Sequence, residues 1–80
     1  MPKLEINKVY RATRYSYRYL GFVASNYPRL VFENLNLRIA RNVRLDDRWL
    51  DVLTDTGMTI EQYREAVRQW DENSSIATPH

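Results

Sequence analysis

Residues 29–45, RLVFENLNLRIARNVRL, carry two periodicities, and the choice between them decides the fold. Leu35, Leu37, Ile39, Val43 and Leu45 recur at period two, with Arg41 the one gap. That is the pattern of a strand with one buried face. Val31, Phe32, Leu35, Ile39 and Val43 also cluster within about 120° on a helical wheel. Pro28 would then hold the first helical position. Asn34, Asn36 and Asn42 weaken both readings. We favour the strand and keep the helix as the alternative.

Upstream, the pattern is that of β-structure. In 3–11, KLEINKVYR, Leu4 and Ile6 alternate and are followed by Val9 and Tyr10, which predicts a first strand. In 14–24, RYSYRYLGFVA, Tyr15, Tyr17 and Tyr19 share one strand face, and Gly21 suits a bulge. Ser25-Asn26-Tyr27-Pro28 is a turn, because Pro28 cannot extend a ladder and holds Tyr27 extended.

Downstream, the pattern turns helical. Asp46 is placed to cap a short helix over 46–55, with Leu45 and Leu50 as a hydrophobic staple. Gly57 supplies the next turn. Thr59 and Gln62 have capping-box spacing, and Ile60, Tyr63, Val67 and Trp70 form a seam on a helix over 60–71. The expected fold class is therefore α+β: an antiparallel β-meander (3–11, 14–24, 29–45) followed by an αα-hairpin (46–55, 60–71). The hairpin would give Trp49, Leu50, Leu53, Ile60, Tyr63, Val67 and Trp70 to the core. Residues 1–71 form one domain, and 72–80, ENSSIATPH, a flexible polar tail.

Composition excludes much chemistry. The 80 residues hold no Cys and one His, so disulfides, thiol catalysis and zinc ribbons are not expected. His80 is terminal, and the two Gly lie 36 positions apart, so neither a catalytic His nor a glycine-rich phosphate loop is expected. We expect no enzyme, no metal and no cofactor. Apolar runs fall short of the ~20 residues of a membrane span, and the N-terminus lacks a signal-peptide core. A cytoplasmic protein is the expectation.

The net charge of +2 conceals a division. Residues 1–45 carry nine Lys and Arg against two Glu, a net of +7; residues 46–80 carry three Arg against eight acids, a net of −5. Such asymmetry suggests an anionic partner, or attraction between the halves within one chain or across a homodimer. Candidate phosphate-neutralising cations are Lys8, Arg11, Arg14, Arg18, Arg38 and Arg41. Tyr15, Tyr17 and Tyr19 are candidate partner contacts by stacking, or core residues. Asp47, Asp51 and Asp55 step by four and would line one helix face as a second partner-binding surface.

Two stretches resemble bacterial repressors. Asp51–Thr59, running on to Tyr63 and Val67, is similar to a helix-turn-helix unit with Gly57 as its turn; Leu53 and Thr56 depart from it. LNLRIARNVRL followed by GMTIEQYREAV resembles a ribbon-helix-helix repressor. A capped αα-hairpin gives both patterns, so neither family is assigned. The expected function is a small regulatory protein that binds nucleic acid through its basic, Tyr-rich half. The alternative is a compact protein-binding inhibitor or adaptor of the phage or mobile-element type, with the acidic face as a nucleic-acid decoy.

Overall fold

The computed structural model describes residues 2–77, with side chains through Asn73. Five strands form one antiparallel sheet: β1 (Lys8–Ala12), β2 (Tyr15–Val23), β3 (Arg29–Asn34), β4 (Ile39–Arg44) and β5 (Thr54–Thr59), in the order β4-β3-β2-β1-β5. A 3-10 helix (Arg48–Val52) lies between β4 and β5, and one α-helix, α1 (Ile60–Ala77), follows. The fold is α+β, as the sequence predicts.

Residues 29–45 are neither one strand nor a helix but the hairpin β3–β4. Asn34 makes the turn: its Oδ1 accepts from the amides of Asn36 and Leu37, each at 2.9 Å. Arg38 closes it at φ 60°, donating its amide to the Asn34 carbonyl at 2.8 Å. Asparagine side chains bond their own backbone in this way, which breaks a run into two strands.

The core lies on one face of the sheet. Tyr10 and Ala12 of β1, Tyr17 and Tyr19 of β2, Leu30 and Phe32 of β3 and Val43 of β4 point into it. Leu50 and Leu53 close it from the link that crosses this face. Burying Phe32 completely is worth about 1.5–3 kcal/mol. β2 carries a bulge. Its register moves from Tyr19↔Phe32 to Gly21↔Val31, leaving Leu20 unpaired, and Gly21 sits at φ 140°, where a side chain is strained.

The αα-hairpin does not form. Residues 46–55 give only the single 3-10 turn, capped by Asp47 rather than Asp46: Asp47 Oδ1 accepts from the Trp49 amide at 2.8 Å. The chain then runs as β5 along β1, with Arg11 opposite Thr54 and Lys8 opposite Thr59. TDTGMT has no apolar alternation; backbone pairing with β1 makes it a strand. Gly57, at φ 78°, serves a bulge in β5 and not a turn between helices. Residues 51–59 are thus the end of a 3-10 helix and a strand. The first helix that both repressor resemblances require is absent.

α1 begins as the sequence predicts. The Thr59 hydroxyl accepts from the Gln62 amide at 3.2 Å, and Gln62 Oε1 accepts from the Thr59 amide at 2.9 Å, a reciprocal capping box. The Ile60 amide donates to the Asn7 carbonyl at 2.7 Å, fixing the helix to the sheet. The helix continues past 71 to Ala77, so 72–77 of the expected tail are helical, and 78–80 lie outside the described residues. Ile60 is buried and Tyr63 half-buried, but Val67 is 41% exposed and Trp70 69%, so these last two are not core. The helix is about 27 Å long and leaves the sheet behind. The radius of gyration is 14.8 Å, against about 12 Å for a compact chain of this length. Among the described residues no helix is long and apolar enough to cross a membrane.

Replacing Thr59 by Ala removes one half of the capping box, and stability falls by about 1 kcal/mol. The urea midpoint and the 222 nm ellipticity fall together, and Thr59→Ser retains both.

Candidate nucleic-acid interface

The meander sorts the predicted cations into three environments. The first is internal ion pairing. Lys8 Nζ lies 3.2 Å from Asp55 and 3.4 Å from Glu5. The hydrogen bond to Asp55 is the main cause that pushes the Lys8 ammonium above its ordinary pKa. Arg18 lies 2.7 Å from Glu33 across β2 and β3. Its approach is electrostatic rather than directional, since Arg18 Nε and Glu33 Oε1 are shielded from solvent without an aligned hydrogen bond. Both cations are held by the fold.

The second environment is an aromatic ring. Arg41 sits 4.3 Å above the Trp49 ring, a cation–π contact that leaves it exposed yet packed. The third is open surface. Arg11, Arg14 and Arg38 are exposed. The alternation of an antiparallel meander brings the 13–14 turn and the 35–38 turn to one end of the sheet. Asn36 Oδ1 there accepts from the Ser16 amide at 2.9 Å.

The tyrosines divide as well. Tyr17 and Tyr19 are buried, and Tyr15 packs half-buried against the same core. The Tyr17 ring meets Trp49 edge-on at 4.8 Å, and the Tyr19 ring meets Phe32 at 5.3 Å. Burial pushes the Tyr19 phenol up, as it does Tyr10, whose hydroxyl donates to the Lys3 carbonyl at 2.8 Å. The row is therefore a packing face rather than an exposed patch. The three aspartates share no helix face, because no α-helix covers them. Asp47 caps the 3-10 helix, Asp51 lies within it, and Asp55 lies in β5.

Two groups escaped the sequence reading. Arg29 and Arg44 stand directly opposite each other in the β3–β4 ladder, though 15 positions apart in sequence. Beside them Tyr27 is 83% exposed. Together with Leu45 they line a groove of about 520 Å³ at the far end of the hairpin. Tyr27 was legible only as part of a turn, and the Arg29–Arg44 pairing depends on a hairpin that periodicity did not reveal. A second groove, of about 450 Å³, runs between α1 and the 35–38 turn, with Tyr63 and Val67 on one side and Leu35 and Arg38 on the other. Among the described residues no three His, Asp or Glu converge on a point; His80 lies outside them. No known protein family, curated protein or solved structure matches the chain.

Asp55 titrates below its ordinary value of 3.8. The Gly57 amide, donating at 2.7 Å, is the main cause, and Lys8 adds to it. A depressed carboxyl stabilises the fold above its unfolded pKa, and that stabilisation is lost as pH falls through the lower folded value. Asp55→Asn is therefore less stable than wild type at pH 7. Its urea midpoint falls less steeply than wild type as pH drops below about 4.

Proposed function

We propose that the chain is a small, non-enzymatic regulatory protein that binds nucleic acid through its basic β3–β4 hairpin. One observation carries the reading. Residues 29–44 hold Arg29, Arg38, Arg41 and Arg44, and their one acid, Glu33, is already paired with Arg18. Arg41 and Arg44 lie on β4, the edge strand, and Arg38 in the turn just before it. Edge cations discourage strand addition by other chains, and they also neutralise phosphates. Lys8 and Arg18 drop out of the binding set because their charges are met internally. Arg11 and Arg14 extend the set at the end of the sheet that carries Arg38. A cytoplasmic setting belongs to this reading.

A second reading has an observation of its own. Val67 and Trp70 are exposed on a helix that projects from the sheet, as a protein-binding inhibitor or adaptor would present them.

Salt dependence separates the two. Fluorescence anisotropy with a labelled oligonucleotide should show affinity falling steeply between ~50 and ~200 mM salt. Arg38→Ala and Arg44→Ala together should lower the logarithmic salt slope by about 2, one per arginine. Trp70→Ala should change neither. Absence of binding to DNA and RNA at the lower salt overturns the first reading.

A further inference from the structure

We propose that the groove at the open end of the β3–β4 hairpin, opposite its 35–38 turn, is a nucleotide subsite for single-stranded nucleic acid, with phosphate between Arg29 and Arg44 and a base stacked on Tyr27. It rests on the function proposed above and names the form of its ligand.

The argument begins with a repulsion. Arg29 and Arg44 are register partners in an antiparallel ladder. Like charges directly opposite destabilise a sheet. Arg44 has Asp46 at 3.7 Å, but both side chains are at least 80% exposed, so the pairing is weak. An anion seated between the two guanidiniums turns the repulsion into a clamp. Arg29 is already aimed. Its Nε donates to Asn42 Oδ1 at 2.9 Å. The outer edge of its guanidinium makes only a long contact, 3.5 Å, to Ser25.

The neighbouring groups fit the rest of a nucleotide. Tyr27 offers a bare ring, and its backbone is held in place. Ser25 Oγ accepts from the Tyr27 amide at 3.2 Å and donates to the Tyr27 carbonyl at 3.1 Å. Pro28 confines Tyr27 to extended geometry. Leu45, half exposed, gives the groove an apolar wall. A phosphate clamp beside an apolar, aromatic wall matches an anion that carries a flat ring. Bases inside a duplex have their faces covered, so the ring selects single strands.

The test uses the full chain and three probes at low salt: an oligothymidylate of about 15 nucleotides, a duplex of equal length, and thymidine monophosphate as competitor. Tyr27→Ala is expected to weaken oligothymidylate binding about tenfold while leaving duplex binding unchanged. Tyr27→Phe is expected to bind within about twofold of wild type, because the ring remains. Tyr27 is exposed, so an unchanged urea midpoint verifies that the variants fold. Equal single-strand and duplex affinity, with Tyr27→Ala neutral on both, overturns the subsite and leaves nucleic-acid binding standing. Competition by the mononucleotide as strong per nucleotide as by the oligomer also overturns it, since the ligand would then be a free nucleotide. Failure of every probe to bind removes the function beneath it.

Discussion

Trp49 stands edge-on to both Tyr17, at 4.8 Å, and Phe32, at 5.2 Å, with Arg41 laid over its ring. Edge-to-face pairs of this kind add about 0.5–1.5 kcal/mol each beyond burial. Their larger effect is topological. β4 and β5 are opposite edges of the sheet, and the chain must cross the core face to pass from one to the other. Trp49 opens that crossing, Leu50 and Leu53 complete it, and β5 is delivered to the free edge of β1. α1 then starts where β5 ends, tied to Asn7. TDTGMT brings no apolar side chain of its own to the core cluster; beyond backbone pairing, β5 meets β1 through the Lys8–Asp55 ion pair and the Thr56 hydroxyl, which donates to the Val9 carbonyl at 2.7 Å.

How much of this was legible depended on whether a signal was local. β2, the Gly21 bulge and the Thr59–Gln62 capping box rest on neighbouring residues, and each lies where the sequence places it. By propensity the asparagines of 29–45 argue against both strand and helix, yet Asn34 builds the turn between two strands. An acidic cap and a Leu50–Leu53 stripe are real signals in 46–55. They produce one 3-10 turn because Leu53 is drawn into the core and the next residues pair with β1. Trp70 continues a true helical seam, yet the sheet ends before the helix does. Periodicity records which face is apolar, not whether anything covers it.

The candidate site shows the same limit for charge. Read along the chain, six of the basic half's nine cations are candidates of equal standing. The fold ranks them. Lys8 and Arg18 meet carboxylates, and Arg41 meets a ring. Attraction between the two halves is therefore partly internal, since Lys8 belongs to the basic half and Asp55 to the acidic one. The hairpin arginines are compensated less, because their one local acid, Glu33, pairs with Arg18 of a neighbouring strand and Arg44 has only the exposed Asp46 at 3.7 Å. The sequence offers Arg14 and Arg18 alike as phosphate contacts, but of the two only Arg14 faces open solvent.

Arg41 and Arg44 make the distinction concrete. They lie three positions apart on β4, both exposed, and a charge count treats them alike. Alternation turns them to opposite faces. Arg41 falls beside Phe32 and Trp49, where its guanidinium supports the crossing that closes the core. Arg44 falls opposite Arg29, where its charge is opposed by another cation. Removing the first weakens the fold, and any loss of binding would be confounded with it. Removing the second relieves a repulsion, so a loss of binding there reports on the ligand. An arginine whose removal should favour the isolated fold yet sits at a groove beside a bare tyrosine is better explained by an anion than by stability.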